Sequence, residues 1–502
     1  MSMELRLIIL IGFLVITFQI SGQEAEQSIA HKIQPNLLKE DLTVLHEQLK
    51  KIHVGLNNYT KEAEMNQFFD ELESSLTTPL SAIEFYRKVV SLHGYIKNGH
   101  TIIIPPESFD IATSSTTPLF PLDVYWDKGS LYILRNNSAD QSIEEGAKII
   151  HINGDSASEV FQSMANKWTR DGNNLTFPMG IAQRAFAGFY VNFFGQPEFY
   201  ELEFANDSGM VQKTKVKALI QSEIDKNRIQ RYGNIIYYWD ANEGDAVTLE
   251  IEDDVAYLKI KTCSNSDIRK FGQSIKGIFK RKFKQIREGK VKHLIIDLRN
   301  NGGGDEIAAR EILKHLSEQP FKLFDDSFLK TKRISERKLY KENIGLLNSF
   351  GKIGIKKSTD GFYRLNGLGR LFFRSNPLLK SHTPYKNQFN GFIYVLTNAY
   401  SFSASGELAS LLKTNTNAIF IGEEPGGNSS DIIAGEMVTL VLPNSKVRVR
   451  IPIVNQKIHS TSQPADRGVI PHYQIRNSIS DMISGRDAIL EKTKNLIVLS
   501  RE

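Results

Sequence analysis

Residues 391–422 read GFIYVLTNAYSFSASGELASLLKTNTNAIFIG, and this stretch decides the fold of the chain. It opens with a run of β-forming apolar residues, Phe392 to Leu396, which predicts a buried strand. After a polar turn, leucines at helical spacing (Leu408, Leu411 and Leu412) predict a helix that ends near Lys413. Ala418 to Gly422 predicts a second buried strand. The stretch therefore predicts a strand–turn–helix–strand unit.

Three serines lie where this helix is predicted to begin: Ser401, Ser403 and Ser405. The first amide groups of a helix have no partner within the helix, and the positive end of its dipole lies beside them. Such a position can hold a serine nucleophile and stabilise an oxyanion. A serine at this position can equally well cap the helix. The rest of the chain has to decide between a nucleophile and a cap.

The composition is that of a globular protein. The chain has 502 residues, 41% hydrophobic and 24% charged, which is enough to bury several cores. A net charge of +5 is mild for this length, and the basic residues alternate with acidic ones, so nucleic acid is not an expected partner. The basic run 280–284 lies on a predicted amphipathic helix, Ile268–Arg287, and indicates a solvated face.

The N-terminus predicts export. Arg6 precedes an apolar run from Leu7 to Ile16, and a small residue, Gly22, closes the segment, so residues 1–22 are interpreted as a signal peptide. The same run could remain as an uncleaved membrane anchor. The only cysteine, Cys263, excludes an internal disulfide and cysteine-rich metal sites. We therefore expect a periplasmic or extracellular protein with no metal or cofactor, since no metal-binding histidine motif is present either.

Three further regions are distinguished by pattern. Residues 30–105 have helical apolar spacing and predict a helical domain, near whose end His100 lies at a helix-to-strand corner. Residues 115–220 predict a separate β-rich module, and residues 221–245 a polar linker. Residues 246–502 alternate between strands and helices, which favours a layered α/β domain. The fold class predicted for the whole chain is multi-domain α/β.

A glycine-rich loop, Asn300–Asp305, follows the predicted strand His293–Leu298 and precedes another helix. A phosphate cradle is one interpretation of such a loop, but the loop lacks the lysine and the glycine spacing of known nucleotide motifs. Its amides can instead form an oxyanion hole, which needs only small residues and free N–H groups. Residues 325–385 are basic and are interpreted as an insertion or lid.

Three pieces of the chain together resemble the S41 family of serine peptidases, which includes the C-terminal-processing and tricorn-like peptidases. The pieces match the family's D-G-H-T, its L-I-x-D-x-R-x-N-x-G-G and its S-x-S-A-x-E followed by G-E; they are Asn98–Thr101, His293–Gly304 and Ser401–Glu407 with Ile421–Glu423. The resemblance implies a crotonase-like ββα core over 246–502. It also implies a PDZ-like domain at 115–220, where residues 146–154 resemble its G-x-x-I-x-x-I-N-G turn, and an N-terminal helical domain before it.

The resemblance also implies roles for individual residues. It identifies Ser403 as the nucleophile, with Ser401 and Ser405 as substitutes. Processing peptidases carry a lysine base about 25 residues later, but Asn428 stands there and no lysine lies between Thr414 and Ser445.

Tricorn-like members use the histidine of the D-G-H-T motif, which is His100 here. The acid that orients it would be Asp466, with Glu436 as substitute. The amides of Gly302 or Gly303 and of Ala404 would form the oxyanion hole.

The resulting hypothesis is an exported serine endopeptidase that acts on peptide or unfolded protein substrates through an acyl-enzyme. A second hypothesis is a catalytically inactive peptide-binding protein that retains the fold, because Asn98, Asn428 and His472 stand where family members usually differ. A third is a crotonase-type reaction on an acyl-CoA, suggested only by shared architecture. Specificity, oligomeric state, the orienting acid and the role of 325–385 are left open by the sequence.

Overall fold

The computed structural model describes residues 30–113, 116–206, 208–233, 245–331, 334–341, 355–357, 363–365, 379–461 and 464–501. The signal peptide predicted at 1–22 lies outside the described residues. So does most of the insertion predicted at 325–385.

The N-terminal region is helical because its apolar residues recur on one face of each helix. Leu38, Leu42, Leu45 and Leu49 are all buried on the first helix. The helices are α1 (Pro35–Ile52), α2 (Glu62–Ser74), α3 (Ala82–Val89), α4 (His93–Ile96) and α5 (Glu107–Thr113), with a short β1–β2 pair (Lys32–Ile33 and Leu80–Ser81).

The middle region contains an antiparallel sheet of order β4-β5-β6-β8-β9, with β7 paired to β6. Its strands are β4 (Leu122–Asp127), β5 (Ser130–Asn136), β6 (Lys148–Ile152), β7 (Asp155–Ser156), β8 (Phe199–Ala205) and β9 (Val211–Lys217). Its helices are α6 (Ala157–Asn166), α7 (Thr176–Arg184), α8 (Phe186–Phe194) and α9 (Gln221–Tyr232). The PDZ-like character of this region stays a prediction.

Helix α9 corrects the sequence interpretation, which took residues 221–245 as a linker. Ile224 is the one buried residue of the helix, so it has no apolar stripe that the sequence could display. Residues 234–244 of the supposed linker lie outside the described residues.

A six-stranded sheet of order β10-β11-β12-β16-β17-β20 carries the predicted strand–turn–helix–strand unit. All its pairings are parallel except β10 with β11. Its strands are β10 (Val247–Glu252), β11 (Val255–Ile260), β12 (His293–Asp297), β16 (Phe392–Thr397), β17 (Ile419–Gly422) and β20 (Tyr473–Gln474).

Helices cover both faces of this sheet, as expected for parallel strands. They are α10 (Asn265–Lys270), α11 (Ile275–Glu288), α12 (Ile307–Leu316), α13 (Ala404–Asn415) and α15 (Ala488–Leu499), whereas α14 (Ile479–Ser484) packs against β4 and β5 of the middle sheet. The single helix predicted at 268–287 is therefore two helices. Gly272, with φ of +65°, lies at the break between them.

A second sheet, of order β14-β15-β13-β19-β18, connects the N-terminal region to the α/β region. Its strands are β13 (Phe324–Leu329), β14 (Ile355–Lys357), β15 (Tyr363–Leu365), β18 (Asp431–Val441) and β19 (Arg448–Ile458). Strand β3 (Ile102–Ile104), which directly follows His100, pairs antiparallel with β19.

One hydrophobic core contains side chains of the N-terminal helices, of the middle sheet and of the β18–β19 hairpin. The predicted fold class, a mixed α/β protein with several layers, is confirmed. His100 reaches the α/β region because the strand after it is part of that region's second sheet.

A buried carboxylate tests how firmly the N-terminal helices are attached. Asp41 on α1 is 0% exposed and accepts hydrogen bonds from the amides of Asn444 (2.9 Å) and Ser445 (2.7 Å) at the tip of the β18–β19 hairpin. Asp41→Ala leaves both amides without an acceptor, and we expect a loss of about 2–3 kcal/mol of stability. The measurement is the melting temperature by circular dichroism. Asp41→Asn keeps one acceptor oxygen and should fall between the two; equal melting temperatures for all three proteins would contradict the assignment.

Candidate active site

Ser403 lies in the turn between β16 and α13 and has an unusual backbone conformation. It is the residue before the first helical position, with φ of 56° and ψ of −127°. A non-glycine residue with positive φ is strained, and such strain persists only where the surrounding structure holds it. Hydrogen bonds hold this turn on both sides: the Phe402 amide donates to the Asn301 carbonyl at 3.0 Å, and the Glu407 amide to the Ser403 carbonyl at 2.9 Å.

The two substitute serines point elsewhere. Ser401 is fully buried, and its hydroxyl donates to the Leu298 carbonyl at 2.8 Å while accepting the Asn398 amide at 3.1 Å. Ser405 is also fully buried, and its hydroxyl has no partner among the described residues. Ser403 alone of the three is partly exposed. It does not cap the helix, since its side chain accepts no capping hydrogen bond.

The structure brings His100 against this serine. Nε2 of His100 lies 3.0 Å from Oγ of Ser403, across 303 residues of chain. The imidazole stacks on the ring of Phe402 (centroids 4.7 Å apart), which in turn stacks on Phe177 (4.1 Å). Van der Waals contact with a ring next to the serine therefore fixes the plane of the imidazole.

Burial, together with the smaller effect of the positive charge of Arg450, lowers the pKa of His100 to about 3. The imidazole is therefore neutral at pH 7. When Nε2 accepts the serine proton, Nδ1 must carry the ring hydrogen. That atom is buried and has no hydrogen-bond partner among the described residues.

The predicted orienting acid does not bind His100. The Asp466 carboxylate accepts a hydrogen bond from the side-chain amide of Asn173 instead. Glu436 is partly exposed and lies at a β-bulge of β18. Nδ1 of His100 forms no hydrogen bond with Glu436 or with Asp466. The sequence interpretation is corrected at this point, because the side chain that occupies Asp466 comes from the distant middle region.

The predicted oxyanion hole also changes by one residue. The amide of Gly303 donates to Oδ1 of Asn301 at 2.9 Å, so it is not free to bind an oxyanion. A Cβ on Gly303 would lie 2.8 Å from Cβ of Ser403 and 2.9 Å from the Ala404 nitrogen, which requires glycine at this position. The amides of Gly302 and Ala404 have no partner among the described residues.

The position of the lysine base in processing peptidases is occupied by a structural residue. The amide group of Asn428 donates to the Tyr59 hydroxyl, and its oxygen accepts the Ser430 amide at 2.8 Å. His472, at another departure from the family pattern, accepts the Phe420 amide at 2.9 Å. Both side chains stabilise loops through these hydrogen bonds, and neither is hydrogen-bonded to Ser403.

Sequence reasoning missed the loop 169–174 of the middle region. Asp171 in this loop is buried and accepts a hydrogen bond from the amide of Gly99 at 2.8 Å, next to His100. Burial raises the pKa of Asp171 to about 6, and the hydrogen bonds from Gly99 and Asn98 oppose that rise. The one available signal was a charged residue between two predicted elements, which is too common to single out.

Glu407 is a second buried carboxyl near the serine, one helical turn along α13. It is 1% exposed, and neither side-chain oxygen has a hydrogen-bond partner among the described residues. Burial raises its pKa well above the usual value, and the nearby charge of Glu306 adds to the rise. The raised pKa favours the protonated form of Glu407 in the folded protein.

Residues 254–475 match the family described as Peptidase family S41. A crystal structure of mature CPAF is similar, with a TM-score of 0.62, 16% identity, and coverage of 92% of this chain and 97% of that one. A structure of mature CPAF complexed with lactacystin has a TM-score of 0.63, 15% identity, and coverage of 92% and 98%. At these identities the likeness shows a shared fold. No curated protein matches by sequence.

The described residues lack the features of a membrane-spanning helix and of a metal site. None of their helices has the length and apolarity to cross a membrane. They contain no cluster of three or more side chains that could hold a metal ion.

The low pKa of His100 predicts an unusually acidic pH profile. The neutral imidazole is the form that can accept a proton, so the reactivity of Ser403 should persist well below pH 6.5. We expect the rate of serine labelling by a fluorophosphonate to stay within about threefold between pH 7 and pH 5. Circular dichroism at each pH serves as the control for folding. A half-maximal rate near pH 6.5 in folded protein would contradict the buried environment of His100.

Glu407 predicts a change in stability with pH. The folded carboxyl has a higher pKa than the unfolded one, whose usual value is 4.5, so stability falls as pH rises through the interval between the two pKa values, by up to about 1.4 kcal/mol per pH unit. Glu407→Gln removes this dependence and should raise the melting temperature at pH 8 more than at pH 5. Glu311→Gln is the matched control, because Glu311 is also buried but is paired with Arg310 and Lys314. An equal gain at both pH values would contradict the prediction.

Proposed function

We propose that this chain, whose residues 254–475 match Peptidase family S41, hydrolyses peptide bonds through Ser403 and His100. The observation that carries the proposal is the distance of 3.0 Å between His100 Nε2 and Ser403 Oγ. Nucleophile and base within hydrogen-bond reach are the signature of an activated serine. The strained backbone of Ser403 at the start of a helix supports the same role.

In the proposed reaction, Nε2 of His100 takes the hydroxyl proton while Oγ of Ser403 attacks the peptide carbonyl carbon. The carbonyl π electrons move to the oxygen and form a tetrahedral oxyanion. When the intermediate collapses, the C–N bond breaks and His100 returns the proton to the leaving amine. Water then repeats the sequence on the acyl-enzyme, with His100 again as the base, and releases the carboxylic acid product and free Ser403.

The amides of Gly302 and Ala404, for which the described part of the chain offers no partner, are the proposed oxyanion donors. Ala404 is the first residue of α13, so its amide points out of the helix and adds to the positive end of the helix dipole. Loss of one such donor typically costs about 3 kcal/mol in the barrier. This contribution is the main reason for a nucleophile at a helix N-terminus.

We propose a serine–histidine pair that has no third hydrogen-bonded member among the residues that the structure describes. Stacking on Phe402 orients the ring, and burial together with Arg450 disfavours the imidazolium form. An unpaired Nδ1 leaves the imidazolium without the stabilisation that an aspartate gives in a triad. We therefore expect slower turnover than in a serine protease with a full triad.

We further propose that the protein is exported and cleaves peptides or unfolded proteins. Export rests on the charged, apolar and small-residue pattern of residues 6–22. The substrate class rests on the family match, since S41 members are peptidases. The N-terminal helical domain (30–105) and the PDZ-like module (115–220) remain part of this proposal.

The unpaired Nδ1 of His100 also favours a second candidate, an inactive protein that binds peptides in the same cleft. A buried donor without an acceptor costs stability and gives no help to the imidazolium. Binding of peptides with no release of products over days would favour this candidate. It would leave the fold assignment unchanged.

The proposal is tested by labelling purified protein with a fluorophosphonate probe. We expect the wild-type protein to be labelled, Ser403→Ala to be unlabelled, and His100→Ala to react about 10²–10⁴-fold more slowly because the proton acceptor is gone. Ser405→Ala is the matched control, since this serine lies two residues away but is buried and unpaired. It should be labelled at the wild-type rate.

Normal labelling of Ser403→Ala would overturn the nucleophile assignment. Normal labelling of His100→Ala would overturn the assignment of the base alone. Mass spectrometry of the labelled peptide identifies the modified residue and separates these two outcomes.

A further inference from the structure

The turn that carries His100 is held by a loop from a different part of the chain. It runs from Lys97, which has a left-handed φ of 50°, to Thr101 at the start of β3. The amide of Gly99 donates to Oδ1 of Asp171 at 2.8 Å, and the side-chain amide of Asn98 donates to the same oxygen at 3.3 Å. The Asp171 carboxylate thus binds both Gly99 and Asn98, the two residues that precede His100.

Two more contacts from the same loop fix the backbone of the turn. The amide of Gly172 donates to the Lys97 carbonyl at 2.9 Å, and the hydroxyl of Thr169 donates to the Asn98 carbonyl. Three consecutive residues before His100 are therefore bound by residues 169–172. The orientation of the following residue is set by these bonds.

The opposite side of the loop is anchored beside the nucleophile. The amide of Asn173 donates to the Asp466 carbonyl at 2.9 Å, and the side chain of Asn174 donates to the Pro425 carbonyl at 2.8 Å. The adjoining loop packs closely on α13, since a Cβ on Gly406 would lie 2.4 Å from the Gly426 carbonyl oxygen. One loop thus connects the histidine turn to the residues around Ser403.

A buried chain of hydrogen bonds sets which way the Asn98 amide faces. Nδ1 of His53 accepts the Gly55 amide (3.2 Å), so its Nε2 donates to the Thr101 hydroxyl (2.8 Å). The Thr101 hydroxyl then donates to Oδ1 of Asn98 (2.7 Å). The Asn98 NH₂ group is left to face Asp171, which accepts from it.

The turn at Gly99 packs tightly against the Asp171 carboxylate and against the Phe402 ring, on which His100 stacks. A Cβ on Gly99 would lie 2.4 Å from Oδ2 of Asp171 and 2.9 Å from the Phe402 ring. A shift of the Gly99 amide therefore moves the imidazole relative to Ser403. A displacement of about 1 Å in a catalytic group can cost on the order of 10² in rate.

We propose that Asp171 is a positioning residue for the serine–histidine reaction: its carboxylate binds the Gly99 amide and thereby holds the His100 ring at hydrogen-bonding distance from Ser403. The inference rests on the proposed function for its catalytic readout. Asp171 touches neither substrate nor reacting atoms, so its effect passes entirely through the His100 turn.

The test compares Asp171→Ala and Asp171→Asn with the wild type. Asp171→Ala removes the acceptor, and we expect kcat and the fluorophosphonate labelling rate to fall about 10–100-fold with KM changed less than about threefold. Asp171→Asn keeps Oδ1 as an acceptor for both donors and should retain at least a third of the wild-type rate. Asp41→Ala is the matched control, because Asp41 is equally buried and also binds two backbone amides, but far along the chain at the hairpin tip. It should lower the melting temperature and leave the labelling rate unchanged.

A second readout does not depend on activity. NMR titration of His100, assigned with His100→Gln, should give a pKa near 3 in the wild type and in Asp171→Asn. Release of the turn in Asp171→Ala should expose the ring and raise that pKa toward 6.5.

The outcomes separate the two claims. A wild-type labelling rate together with an unchanged His100 pKa in Asp171→Ala would overturn the positioning role and leave the proposed function standing. Absence of labelling in the wild type, together with a raised His100 pKa in Asp171→Ala, would contradict the proposed function and support the positioning role. If Asp171→Ala does not fold, an Asp171→Asn rate as low as that of His100→Ala would overturn the inference, and a retained rate would support it.

Discussion

The hydrogen bond between His100 and Ser403 is the constraint on which the rest of the architecture depends. An imidazole from the helical N-terminal region must meet a hydroxyl at the start of a late helix, so both segments have to be held by the same framework. The framework is the sheet in which β3 pairs with β19, together with the core shared by the N-terminal helices and the β18–β19 hairpin. Burial of the ring between Phe402 and the surrounding core then keeps the imidazole neutral.

Sequence alone predicted the local parts of this arrangement well. The unit from β16 to β17 follows from apolar runs and helical spacing, and the structure has it within about one or two residues of the predicted bounds. The mixed α/β class is confirmed as well, and the match of residues 254–475 to Peptidase family S41 supports the predicted resemblance. These features were predictable because short-range patterns determine strands, turns and helix starts. Helix α9 was missed because a polar helix with one buried residue has no such pattern.

Features that depend on distant partners could not be predicted. Asp466 fits the family pattern, but Asn173 from the middle region occupies its carboxylate. Gly303 has the small size expected of an oxyanion donor, yet its amide donates a hydrogen bond to the side chain of Asn301 in the same loop. Asp171 is unremarkable in sequence, and its contact with Gly99, 72 positions earlier in the chain, exists only in the folded protein. Each case turns on which acceptor a polar group finds in three dimensions, and spacing carries no such information.

The shared core and the β3–β19 pairing limit which segments of the chain can be exchanged between related proteins by recombination. The segment that matches the peptidase family begins at residue 254, whereas the proposed base is His100 and the loop that holds its turn is 169–174. A gene fragment encoding the recognisable segment alone would transfer a nucleophile with no proton acceptor. Recombination between such proteins therefore has to keep the His100 turn, the loop 169–174 and the segment 254–475 together to retain the proposed serine–histidine pair.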